Sequence, residues 1–373
     1  MGRQLGWVWF GGKINKIYCI PFSNTLFSAS GNQFGIIRTE SDTLTITSLG
    51  IDPQAKYSWT NVAVVGTKIY CIPRLNEGNN QFGIIDTTTD SLTLTSLGVD
   101  PSANYSWGST AVVGTRIYCI PFDNGAANQF GIIDTTTDSL TLTSLGANPG
   151  INYRWGSTAV VGTTIYCIPS DRALITQTLI SVGSQFGIID TVAGNLVVTS
   201  LNLSPDIDYA WTGTAVNNKV YCVPGRRSLL LDPQHHFGII DTTTNNLTLT
   251  ALGTDPSVSS YSWSTIVVVD NKIYCIPFVN TGFNQFGIID TTTDSLALTS
   301  LGANSQLNYA WGAASAVGPK IYCVPRFNTS ANPAGNQFGI IDTTINALTL
   351  TTLGADPATN YHWASSAAMV PTP

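Results

Sequence analysis

Apolar and polar positions along this chain follow one short pattern that returns again and again. In residues 109–146, STAVVG (109–114) and RIYCIP (116–121) are two apolar runs meeting at Gly114-Thr115. QFGIID (129–134) is a third run, and SLTLTSLG (139–146) a fourth. Each run has strand length, and Thr, Ile, Val and Tyr favour strands. The pattern predicts four strands, a to d. Strand b is apolar on both faces, Ile117 and Cys119 on one and Tyr118 and Ile120 on the other, and strand c is similar. Strand d alternates, Leu140 and Leu142 against Thr141 and Thr143. Inner strands buried on both faces need a neighbouring layer on each side. A last strand that alternates is half wet. No segment of helical period competes with this reading.

The links agree with four antiparallel strands. Gly-Thr joins a to b in several copies, Asn217-Asn218 in the fifth and Asp270-Asn271 in the sixth. These residues tolerate the positive φ of two-residue hairpins. The c–d link is DTTTDS, in which Asp134 can accept from amides ahead of it. Asp86, Asp190, Asp241, Asp290 and Asp342 recur there. The first copy has Arg38 instead, so its turn is expected to be built differently.

The unit occurs seven times. Cys19, Cys71, Cys119, Cys167, Cys222, Cys275 and Cys323 each sit in IYC[IV]P or VYCVP, and each is followed by FGII. Residues 80–98 and 128–146 are identical. A period near 50 residues is that of a propeller blade, longer than leucine-rich, ankyrin or tetratricopeptide units. The expected fold is all-β: one seven-bladed β-propeller domain over 1–373 with four-stranded antiparallel blades. The blades fall near 1–50, 51–98, 99–146, 147–201, 202–253, 254–302 and 303–354, with a closing strand in 355–373. The chain runs past the seventh strand d into NYHWASSAAMV, a further copy of strand a around Trp363. A ring closed by strands from the two chain ends removes exposed edges. We expect Ala364–Val370 to join blade one, with Trp7–Gly12 covering or extending it. The alternative makes the N-terminal copy the true strand and leaves the tail loose.

The segments IYC[IV]P…FGIIDTTTDSLTLTSLG resemble two propeller repeats. One is the kelch repeat, although Ile120-Pro121 stands where kelch has a Gly pair. The other is the YVTN repeat of surface-layer propellers, which the IDTTTD segments match better. The kelch resemblance implies a protein-binding platform. The YVTN resemblance implies a surface or extracellular propeller. Neither carries a catalytic residue across.

Composition narrows the function. The formal charge is −6 and only 10% of residues are charged, whereas nucleic-acid binders cluster Lys and Arg. No apolar run reaches transmembrane-helix length. The start MGRQLGWVWFGG lacks a signal-peptide core. Equivalent cysteines on adjacent blades should lie about 10 Å apart, too far for a disulfide. Unpaired thiols suit a reducing compartment, and so lean cytoplasmic, while the resemblance leaves the cell surface open. No cofactor or metal site is expected. His235, His236 and Asp232 could converge, but adjacent residues in an irregular loop are poor ligand spacing.

Strand alternation places links a–b and c–d on one face and links b–c and d–a on the other. The first face repeats tight turns. The second carries all the variation, and variable loops on a rigid frame are the default binding region. A pair of long loops, in blades four and five, holds Arg172, Arg226, Arg227, Asp232, His235 and His236 beside apolar residues such as Leu174 and Leu229. Such a mixture suits a protein contact. The alternative on the same face is a ring of sugar-stacking aromatics: Tyr105, Trp107, Tyr153, Trp155, Tyr261 and Trp263. The competing reading of those indoles is packing between blades. A hydrolase ranks third: Arg74, Arg226, Arg227 and Arg326 lie on suitable loops, but no motif links them. The expectation is a non-catalytic binding or structural module whose partner is a protein, with a glycan as the alternative.

Overall fold

The computed structural model describes residues 16–21, 33–49, 59–73, 81–98, 107–122, 129–147, 155–169, 185–201, 211–225, 236–252, 263–277, 286–302, 311–325, 337–354 and 363–369. Among these, all regular structure is strand, in seven antiparallel four-stranded sheets. The first strands of successive sheets run side by side around an axis. The last, Trp363–Met369, lies beside both Trp311–Val317 and Trp59–Val65, so the ring is complete. This is a seven-bladed β-propeller.

Blade three shows how the sequence makes a blade. Its strands are Trp107–Val113, Arg116–Pro121, Phe130–Asp134 and Ser139–Thr143. Trp107 opens strand a, two residues before the expected start, and stands opposite Pro121. A bulge follows between Trp107 and Ser109, where the register shifts. The indole is fully buried, and its Nε1 donates to the Gln129 carbonyl at 3.3 Å. It crosses Gly131 of strand c, where an added Cβ would lie 3.0 Å from Trp107 Cζ2 and 2.9 Å from Leu140 Cδ1. The Gly of FGII is therefore the floor on which the indole rests. Strand d stops at Thr143, three residues short of the expected end, because Leu145 (φ 50°) and Gly146 (φ 81°) turn left-handed. Thr143 Oγ1 accepts from the Leu145 amide at 3.2 Å, and the Leu145 carbonyl accepts from Leu196 of blade four at 3.1 Å. A leucine in this region costs about 1 kcal/mol. The contact between blades, made by backbone and side chain together, offsets it.

The core is a set of seven slabs, one in each seam between blades. In the seam from blade two to three, Tyr70, Ile72, Phe82 and Leu97 face Trp107, Ile117, Cys119 and Ile133. The other six slabs repeat this arrangement. Strand b is apolar on both faces because Tyr and the following Ile point forward while Ile and Cys point back. Phe82 and Trp107 meet tilted, with centroids 5.5 Å apart. All seven cysteines are free and buried.

Blade one is assembled from both parts of the chain. Trp363–Met369 pairs antiparallel with Lys16–Pro21, followed by Phe34–Arg38 and Thr43–Thr47. The C-terminal copy of strand a is thus the closing strand. Trp7–Gly12 lies outside the described residues. The first c–d turn, expected to differ, keeps the backbone of the others, with Asp42 at φ 48° beside Asp90 at φ 53°. Only its opening residue changes: Arg38 is exposed, while the hydroxyls of Ser41 and Thr43 lie 2.7 Å apart, as those of Thr89 and Ser91 do.

Candidate functional site

The a–b turns of blades two to seven and all seven c–d turns share one face of the ring and lie among the described residues. They are braced against each other. Thr135 donates through both N (3.0 Å) and Oγ1 (2.8 Å) to the Thr115 carbonyl in the neighbouring hairpin. Asp134 Oδ1 accepts from Thr136 N (2.9 Å) and Oγ1 (2.6 Å), which holds its carboxyl below the usual range. The same bonds form at Asp86, Asp241, Asp290 and Asp342. The turn residues are thus engaged internally.

In six of the seven c–d turns the last residue reaches the preceding blade. Tyr70 OH donates to Asp138 Oδ1 at 2.5 Å, and Lys68 Nζ donates to Oδ2 at 2.5 Å. Burial, and then the Asp138 bond, push the Tyr70 hydroxyl far above the phenol range. Burial alone would raise the Asp138 carboxyl, but the bonds from Lys68 and Tyr70 outweigh it and hold it low. Lys16, Tyr18 and Asp90 form the same triad, as do Lys219, Tyr221 and Asp294, and Lys320, Tyr322 and Asp42. Two seams use an amide: Tyr166 OH donates to Asn245 Oδ1 at 2.8 Å and Tyr274 OH to Asn346 Oδ1 at 2.7 Å. In the seventh seam, from blade three to four, Gly194 occupies the turn position. Sequence reasoning missed this device because the two halves lie about one and a half repeats apart, beyond the reach of local pattern. One signal was available. The residue two before each Tyr and the last residue of the next turn vary together: Lys with Asp four times, Thr164 with Asn245, and Arg116 with Gly194. Lys272 with Asn346 breaks the rule.

The opposite face carries the b–c and d–a links. Arg172, Arg226, Arg227, Asp232 and His235 lie outside the described residues, as do Tyr105, Tyr153 and Tyr261. His236 opens the third strand of blade five, and its carbonyl accepts from Trp211 Nε1 at 3.0 Å. Trp107, Trp155 and Trp263 are buried within the seams. They present no open indole face on which a sugar ring could stack. At these three positions the indole covers the Gly of strand c, the arrangement that packing between blades requires. Among the described residues no group of three or more His, Cys, Asp or Glu side chains converges to hold a metal ion.

No protein-family model matches the sequence, and comparison with curated proteins found no match. Among solved structures the chain is similar to that of YCF48 bound to D1 peptide. The TM-score is 0.52 with 8% identity, over 87% of this chain and 85% of that chain. At that identity the likeness is one of fold.

Proposed function

We propose that the protein is a non-catalytic binding platform whose partner is a protein, contacted through the face that carries the b–c links. The observation behind this reading is the asymmetry of the two faces. One is a ring of near-identical tight turns whose polar groups bond to each other. The other receives every link of irregular length; the longest b–c link follows Pro169 in blade four, and a long one follows Pro224 in blade five. Arg226, Arg227, Asp232, His235 and His236 gather there in a chain only 10% charged, with Arg172 in the neighbouring loop. A rigid ring holding variable loops limits the ordering cost of binding. The similar fold of YCF48, solved with D1 peptide, and the resemblance of the repeat to kelch support a peptide or protein partner.

The test is affinity capture with the full chain, followed by affinity measurement on the captured partner. Replacing Arg226 and Arg227 together by Ala should weaken binding by roughly tenfold or more, since an Arg at a contact centre contributes about 2 kcal/mol. Thr136→Ala, on the turn face, should bind as the unmodified chain does. Equal affinities for the two variants would remove blades four and five from the contact.

A further inference from the structure

We propose that the outer end of the seam between blades three and four is a binding site for a carboxylate presented by a partner polypeptide, held between Arg116 and Tyr118. This site is on the turn face and does not depend on the loop-face reading above.

Six seams show how this place is filled. A turn side chain from the following blade, Asp or Asn, puts an oxygen on the Tyr hydroxyl. In four of them a Lys takes the second carboxylate oxygen. In the seam from three to four the receiving parts are present. Tyr118 stands opposite Ile132 as Tyr70 stands opposite Ile84, and Arg116 stands opposite Asp134 as Lys68 stands opposite Asp86. Tyr118 is 3% exposed, packed in its slab with Ile120, Phe130 and Trp155. The backbone across the seam is also the same. Leu196 N donates to the Leu145 carbonyl at 3.1 Å, as Leu140 N donates to Leu97 at 3.0 Å. Gly194 has φ 66°, in the left-handed region of Asp138 at φ 52°. What differs is the side chain. Gly194 brings no oxygen to Tyr118, and a Cβ built on it would meet nothing within 4 Å.

Chemistry favours a carboxylate over other occupants. The cation here is Arg, the only one among the seven seams, and its planar fork matches two carboxylate oxygens where Lys offers a point charge. Its cross-strand neighbour Asp134 also feels the Arg116 charge, but its Oδ1 is already taken by Thr136. The surface beside the site is altered too. Val192 (81% exposed) and Val197 (54% exposed) replace the Thr residues of blades two and three. They offer apolar contact to residues flanking the carboxylate. The site would thus bind an acidic side chain or a chain terminus with apolar neighbours, filling the place that Asp138 and Asp294 fill from within.

The experiment follows the backbone amide resonances of residues 118 and 191, present in every variant, in the full chain during titration with three small probes. They are N-acetyl-aspartate N-methylamide, N-acetyl-valine with a free carboxyl, and N-acetyl-asparagine N-methylamide as the neutral control. The expected result is saturable binding of at least one acid in the millimolar range, with the neutral probe roughly tenfold weaker or silent. Tighter binding of the first acid assigns the site to acidic side chains, and of the second to chain termini. Gly194→Asp should raise the melting temperature and abolish binding, because its own carboxylate takes the place. Arg116→Ala, at an exposed position, should weaken binding by about tenfold and Tyr118→Phe by several-fold. Absence of saturation by both acids, equal binding of the neutral probe, or unchanged binding in Gly194→Asp or Arg116→Ala would each overturn the proposal.

Discussion

Tyr322 of blade seven donates its hydroxyl to Asp42 Oδ1 of blade one at 2.5 Å, so the seam where the ring closes is bonded like the seams between consecutive blades. Lys320 Nζ lies 2.8 Å from Oδ2 of the same carboxylate. Asp42 has φ 48°, so Gly can replace it without backbone strain. Asp42→Gly removes both bonds and copies the Gly194 seam. It should cost about 1–2 kcal/mol, most of it from the Tyr322 bond, because the half-exposed ion pair is screened. Asp42→Asn keeps an acceptor for Tyr322, as in the Asn245 seam, and should cost less than about 1 kcal/mol. Urea midpoints compare the two. Equal losses would mean that the tyrosine bond adds nothing to closure.

Deleting residues 363–373 tests closure directly. Trp363 is fully buried, its ring centroid 5.6 Å from that of Phe338, and its Nε1 donates to the Gln33 carbonyl at 2.9 Å. Its strand covers the edge of Lys16–Pro21. The deletion exposes that edge and removes several buried side chains, which amounts to several kcal/mol. Trp363→Ala alone should cost about 3–5 kcal/mol. A truncated chain melting with the full-length protein would refute closure by the C-terminal strand.

Gly131 separates the packing role of the indole from any binding role. Gly131→Ala places a methyl 3.0 Å from Trp107 Cζ2 and 2.9 Å from Leu140 Cδ1, so both must shift. Overpacking of this kind costs about 1–3 kcal/mol, with a change in Trp fluorescence. Gly114→Ala, at φ 59° with open space around it, should lose about 1 kcal/mol through backbone strain alone and leave the fluorescence unchanged. Identical fluorescence in both variants would argue against the indole resting on Gly131.

Periodicity made the ring legible because every blade solves the same burial problem with the same letters. Ile117, Tyr118, Cys119 and Ile120 are all apolar, and only a strand covered on both faces needs that. The surplus copy around Trp363 likewise announced closure. The turns were read through Asp134, whose bonds are local. Asp138, four residues on, was not singled out because its partners Lys68 and Tyr70 belong to the preceding blade. The strand boundaries slipped for related reasons. Trp107 reads as a loop aromatic until Gly131 is seen beneath it, and Leu145 reads as strand until its left-handed φ is known. The candidate residues of the loop face, Arg226 and Arg227 among them, carry no repeating partner from which a position could be inferred.

Alkali tests whether the thiols and hydroxyls in the seams are as enclosed as their positions indicate. Burial pushes all seven thiols far above their ordinary 9.0. Burial, then bonds to Asp, raises Tyr18, Tyr70, Tyr221 and Tyr322 above 10.0. A group whose folded value is raised stabilises the fold fully below its unfolded value. That contribution is lost as pH rises through the interval up to the folded value. The loss therefore begins near 9.0, where thiols ionise only in the unfolded chain, and steepens near 10.0 as tyrosines join. Each thiol that ionises only on unfolding adds about 1.4 kcal/mol per pH unit to the slope. Urea midpoints measured from about pH 8 to pH 11 should fall accordingly, and Cys119→Ala should give a shallower fall from a lower starting stability. In the same range a thiol reagent should react slowly with the native protein and with all seven thiols after denaturation without reductant. A flat profile to pH 11, or rapid labelling of the native chain, would show that solvent reaches strand b and would contradict slabs closed between blades.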